Sequence, residues 1–181
     1  MISKIHQHLL SLQDEKYRDF NSKIILQKDY PMIGIRLPEL RNYAKELMKE
    51  NTIPKFQDKY YEEILLHGMC IGRYRCPFPE KIALIEEFLP LINDWGICDS
   101  FVPSLKDINK HRDEYLPYIR KYLKTDKEFY QRYGFVALLD YYKEEKYLKE
   151  IFRHIKATKY NGYYSKMGAA WLLSYMFMFF Y

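Results

Sequence analysis

An indole and a carboxylate stand one helical turn apart in Asn93-Asp94-Trp95-Gly96-Ile97-Cys98-Asp99-Ser100, so Trp95 and Asp99 share a face of any helix formed there. Two further residues interrupt apolar helical patterns. These are Arg132, within Tyr130-Gln131-Arg132-Tyr133-Gly134-Phe135-Val136, and Trp171, within Met167-Gly168-Ala169-Ala170-Trp171-Leu172-Leu173. In general a carboxylate can oppose positive charge, an indole face attracts a cation, and a planar guanidinium grips an oxyanion. Taken singly, each has a plainer explanation. A tryptophan on an amphipathic helix is usually core. Asp99 can cap the segment before Pro103 or pair with a lysine, and Arg132 can be a buried arginine answered by a carboxylate such as Asp140.

Spacing ties the four residues together. The intervals from Trp95 to Arg132 and from Arg132 to Trp171 are 37 and 39 residues, slightly under the roughly 40–47 residues of a helical repeat. If each falls in the second helix of its unit, all four line one side of a stack of helix pairs.

The elements that would position them read as helix after helix. Ile2, Ile5, Leu9 and Leu12 keep a 3.6 period, and a second helix is expected from about Lys16 to Ile25. After Pro31, the run Ile33-Gly34-Ile35-Arg36-Leu37 leads to Pro38, at home in a first helical turn, with Leu40, Tyr43, Ala44, Leu47 and Met48 on one face. Lys59 to Arg73 repeats the pattern before Cys76-Pro77-Phe78-Pro79 turns the chain. Ile82, Ile85, Phe88 and Leu89 make a helix that meets Pro90, and its partner carries Trp95 and Asp99 as far as Pro103. Leu105 to Asn109 is a short connection, and Tyr115, Leu116, Ile119, Tyr122 and Leu123 share the next helix face. Thr125-Asp126-Lys127-Glu128 has the spacing of a capping box that would open the helix bearing Arg132. Tyr147, Leu148, Ile151, Phe152 and Ile155 form another helix, closed at Asn161-Gly162, and the last holds Lys166, Met167 and Trp171. Nothing alternates with period two. The expected fold is all-α, antiparallel helix pairs in a row, as one helical-repeat domain over residues 1–181.

Bulk properties agree with a globular chain. Its 181 residues are 48% hydrophobic and 29% charged, which excludes intrinsic disorder. Nineteen tyrosines beside two tryptophans mean that much of the core carries phenol groups needing partners. A net charge of +5 is compatible with a polyanionic partner. Cys70, Cys76 and Cys98 are odd in number and lack paired spacing, so neither a disulfide framework nor a zinc site is indicated, and a reducing cytoplasm is the expected location. His6, His8, His67, His111 and His154 do not group as metal ligands. The apolar run Leu172 to Tyr181 is too short to span a bilayer.

Several of these stretches carry a resemblance. Phe20-Asn21-Ser22-Lys23, Ile33-Gly34-Ile35-Arg36-Leu37-Pro38-Glu39-Leu40-Arg41, Asn93 to Phe101, Leu105-Lys106, Arg132 in its aromatic helix, and Met167 to Trp171 together resemble the AlkD-type DNA alkylation repair glycosylases. The resemblance runs over nearly the whole chain. It implies HEAT-like helical repeats whose concave basic surface holds duplex DNA, and removal of purines alkylated at N3 or N7. It places Trp95, Trp171, Asp99 and Arg132 in the catalytic cleft and implies action without a base-reading pocket, unlike glycosylases that extrude their target.

The alkylated purine is cationic and leaves readily, so the implied roles concern the sugar. Asp99 would oppose the oxocarbenium-like charge and orient water. Trp95 and Trp171 would hold the sugar by cation–π attraction of about 0.5–2 kcal/mol per contact. Arg132 would grip a phosphate or orient Asp99. Lys106, Lys110, Arg112, Lys159 and Lys166 are candidate phosphate contacts, and no metal or cofactor is expected. The resemblance also implies further helices beyond Trp171, whereas this chain ends almost at once, on Met-Phe-Met-Phe-Phe-Tyr. That tail is expected to fold under a neighbour, to be covered by another chain in self-association, or to be a cut end. A non-catalytic repeat module that binds DNA or a protein on its concave face is the competing reading.

Overall fold

The computed structural model describes residues 4–25 and 29–180, and among them every regular element is helical. The chain divides into two compact units, Met1–Ser104 and Leu105–Tyr181.

In the first unit, α1 (Lys4–Ser11) buries Ile5 and Leu9; Ile2, expected on the same face, lies outside the described residues. Asp14 caps α2 (Glu15–Ile24), its carboxylate accepting from the Tyr17 amide at 2.9 Å. Pro38 falls in the first turn of α3 (Leu37–Leu47), where its missing N–H costs nothing, and Leu40 and Ala44 face inward. The unit is built around α4 (Tyr61–Arg73), buried at nearly every position from Tyr61 to Ile71 and packed against α3. On it also pack α5 (Phe78–Phe88) and the short α6 (Trp95–Phe101). Turns of 3-10 helix at Leu89–Leu91 and Val102–Ser104 follow α5 and α6, at the two prolines expected to end them. Burial pushes the Cys70 thiol on α4 up to about 12, which makes it an inert core group.

Charged groups at both ends of α4 fix the loops around it. Glu62, in its first turn, accepts from the amides of Ile33, Gly34 and Ile35 at 2.9, 2.7 and 3.3 Å, and Glu63 accepts from those of Gln57 and Lys59 at 2.9 and 3.1 Å. At the other end the buried Lys81 ammonium donates to the Ile71 and Tyr74 carbonyls at 2.7 and 2.5 Å. Both signs suit the helix dipole. Gly34 has φ +94°, and a Cβ there would lie 2.5 Å from Arg18 Cβ, so the loop held by Glu62 requires glycine. Glu62→Ala leaves three amides without an acceptor and is expected to cost on the order of 3 kcal/mol, read from the midpoint of urea unfolding.

The second unit opens with a 3-10 turn at Lys106–Lys110 and continues with α7 (Arg112–Leu123), α8 (Glu128–Tyr141), α9 (Leu148–Ala157) and α10 (Tyr163–Phe180). Helix α8 is the centre, buried from Gln131 to Leu139 and packed against α7 and α10. Several core phenol groups find hydrogen-bond partners, as a tyrosine-rich core requires. The Tyr115 and Tyr133 hydroxyls bond to each other, and the Tyr142 hydroxyl donates to the Arg112 carbonyl at 2.6 Å. Gln131, fully buried, is a polar hub: its amide nitrogen donates to the Thr125 and Lys159 carbonyls at 2.7 and 2.8 Å, and its oxygen accepts from the Asn161 amide and the Ser165 hydroxyl.

The capping box expected at Thr125 does not form. Helix α8 starts at Glu128 with Lys127 as its cap residue and no side-chain cap bond; Thr125 instead donates to the Tyr122 carbonyl at 2.8 Å. Glu128 is drawn away by the Tyr164 amide and lies over Gly162, where φ is +91° and any Cβ would collide with its carboxylate. A contact made by folding overrides the local pattern.

Candidate functional site

Helix α6 is where the first two candidates meet. Asp94 precedes it in extended backbone, φ −143° and ψ 150°, and its carboxylate accepts from the Gly96 amide at 2.6 Å, so the helix begins at Trp95. Asp94 is 1% exposed and also accepts from the Tyr61 hydroxyl at 3.1 Å. Burial pushes its carboxyl above the usual carboxylate range, against the pull of the Gly96 amide and the Tyr61 hydroxyl. The same burial, with Asp94 beside it, raises the Tyr61 phenol, which therefore stays protonated.

Ile97, Cys98 and Phe101 bury one face of α6. Trp95, Gly96, Asp99 and Ser100 turn the other toward a cavity of about 300 Å³ within the first unit. Its remaining wall comes from Tyr17 and Asn21 of α2, Ile25 just after it, Ile35 and Leu37 at the start of α3, Arg41 one turn on, and Tyr61 and Leu65 of α4. The expected pairing of Trp95 and Asp99 on one helix face is therefore present, half-buried and facing open space. The cap of this segment is Asp94 at the N-terminus, and Asp99 lines the cavity.

In the second unit, Arg132 is 6% exposed on α8, and its guanidinium donates to the Tyr164 carbonyl at 3.1 Å and lies 6.0 Å from the Tyr164 ring. At Gly168 an added Cβ would meet Phe135 Cβ at 3.4 Å and Arg132 Cγ at 3.5 Å, ordinary contact distances, so the approach of α10 to Arg132 does not depend on glycine. Trp171 is one turn further along α10 and 47% exposed, beside exposed Met167, Ala170 and Ser174 and opposite buried Gly168, Ala169 and Leu172. Lys106, Lys110, Lys159 and Lys166 are all exposed. Arg112 is already engaged, paired with Glu144 and donating to the Tyr141 carbonyl at 3.2 Å. Because Trp171 projects outward, Trp171→Ala is expected to cost less than half of the roughly 2–5 kcal/mol of a buried Leu→Ala change such as Leu172→Ala. Thermal melts of the two variants compare them directly.

Reading the sequence alone misses Tyr17, Asn21, Arg41, Tyr61 and Asp94. One signal was available: an aspartate just before an apolar helical run is an N-cap pattern, and it fits Asp94. The others come from α2, α3 and α4, and only folding brings them to Trp95.

Residues 5–161 match the family of DNA alkylation repair enzymes. The chain belongs to that family. Trp95, Asp99 and Arg132 lie inside the matched span and Trp171 lies beyond it. No curated protein and no solved structure matches the chain. Among the described residues no helix is long and apolar enough to cross a membrane.

Proposed function

We propose that the protein is a DNA glycosylase that hydrolyses the N-glycosidic bond of purines made cationic by alkylation at N3 or N7. The observation that carries this reading is the cavity on which α6 places an indole and a carboxylate from adjacent turns, in a chain whose family repairs alkylated DNA.

The glycosidic bond breaks with its electron pair going to the purine, which leaves as a neutral base. Positive charge develops on the sugar. Asp99 opposes that charge and orients a water; as the water oxygen bonds to the sugar carbon, its proton passes to the carboxylate or to solvent. Trp95 presents an indole face to the sugar, and Trp171, exposed on α10 of the second unit, is a further indole for contact with DNA. Arg132, buried and donating to the Tyr164 carbonyl, acts by holding α10 against α8 ahead of Trp171. Arg41, on the cavity wall, is a further cation for the DNA backbone. Lys106, Lys110, Lys159 and Lys166 hold the duplex by phosphate contacts that weaken with salt, whereas Arg112 contributes through its pair with Glu144 to the local structure.

The experiment is incubation with duplex DNA carrying N7-methylguanine, followed by chromatography of the supernatant. Free 7-methylguanine and an abasic strand support the reading. Salt-dependent binding with no released base would instead make the protein a non-catalytic DNA-binding module.

A further inference from the structure

Asp94 is an ionisable acid where an uncharged cap would serve. Asparagine and serine cap helices as well as aspartate does, and neither would bring a carboxylate into a position only 1% exposed. One oxygen, Oδ1, takes both the Gly96 amide and the Tyr61 hydroxyl, while Oδ2 is buried with no hydrogen-bond partner among the described residues. A buried carboxylate left half satisfied is costly. Chains keep such departures from the rules of folding mainly where function needs them.

Its surroundings indicate what the charge does. Trp95 follows it directly, and both groups bonded to Oδ1, Tyr61 and Gly96, line the cavity that Asp99 shares. Helix α6 has seven residues, far below the roughly 12–15 that hold a helix in water unaided, so contacts at its ends and along its buried face set its orientation. The fit at the N-terminal end is close. A Cβ on Gly96 would lie 2.3 Å from Tyr61 Oη and 2.9 Å from Asp94 Oδ1.

We propose that Asp94 is a charge-bearing positioning residue of this site, acting through the Tyr61 hydroxyl and the first turn of α6. It holds the turn that presents Trp95 and Asp99, and it places a second negative charge behind the cavity wall, where it favours the cationic sugar. This rests on the glycosylase reading above. Asp94→Asn keeps the cap and the acceptor for Tyr61 and removes the charge. Because burial raises the Asp94 carboxyl in the folded state, the folded protein binds that proton more tightly than the unfolded chain does. The ionised group therefore lowers stability as pH rises above the unfolded value, and asparagine removes that cost.

The test compares single-turnover base release, DNA affinity and melting temperature in the wild type, Asp94→Asn, Tyr61→Phe, their double variant and Asp99→Asn. Asp94→Asn and Tyr61→Phe are each expected to slow release about tenfold with DNA affinity within about twofold, and the double variant to be no slower than about the worse single one, because the two act as one unit. Asp94→Asn is expected to melt no lower than the wild type. Release by Asp94→Asn within about twofold of wild type overturns the inference. So does a slowing that tracks a lowered melting temperature and recovers on cooling, which would make Asp94 a cap alone. The remaining arms separate the two claims: an active wild type with an inactive Asp99→Asn and an unaffected Asp94→Asn sinks only the positioning role. No release by the wild type, or equal release by Asp99→Asn, sinks the glycosylase reading and this inference with it.

Discussion

Asp99→Asn is expected to slow release of N7-methylguanine from duplex DNA by about 10²–10³-fold, the cost of removing one preorganised electrostatic group from a reacting centre. The substitution changes almost nothing in shape. Asp99 is half-buried on the cavity side of α6, whose start is set by Asp94 and whose packed face is Ile97, Cys98 and Phe101. Its melting temperature should therefore stay close to that of the wild type. DNA affinity should hold or rise slightly, since a negative charge near a polyanion has been removed. Loss of release with binding retained is the signature of an interaction made in the transition state. Parallel loss of release and of folded protein would assign Asp99 to stability.

Gln131→Leu is expected to produce the opposite pattern, a large loss of stability from a residue with no chemistry. Its amide is fully buried on α8 and answers two carbonyls, Thr125 and Lys159, and two donors, the Asn161 amide and the Ser165 hydroxyl. These bonds tie the start of α8 to the turn before α10. Leucine fills most of the space and leaves all four groups unanswered, at about 1–3 kcal/mol for each that water cannot reach, so a loss of roughly 3–5 kcal/mol is expected. A urea titration would show the midpoint falling. Any fall in base release should then scale with the folded fraction, because Gln131 lines no part of the cavity that holds Trp95 and Asp99.

What was legible in the sequence was periodic. Ile82, Ile85 and Phe88, with Pro90 behind them, mark α5 because buried positions recur every turn. Trp95 and Asp99 share a face because four residues make about one turn wherever the helix is placed. Polar residues in the interior were hidden. Glu62, Glu63 and Gln131 look like surface residues, and their burial depends on loops that folding brings to them. Thr125 and Glu128 show the converse, a correct local pattern overruled when the Tyr164 amide, far along the chain, claims the glutamate. The cavity wall was half visible for the same reason: α6 is local, whereas Tyr17, Asn21 and Arg41 reach it from other helices.

The most direct measurement is the single-turnover rate at which excess purified protein frees 7-methylguanine from a duplex carrying one such base, set against spontaneous loss in the same buffer. The account predicts a neutral 7-methylguanine product, an abasic strand of unchanged length, and a rate well above the spontaneous one that collapses in Asp99→Asn. Release no faster than the spontaneous rate, or release untouched by that substitution, would contradict it.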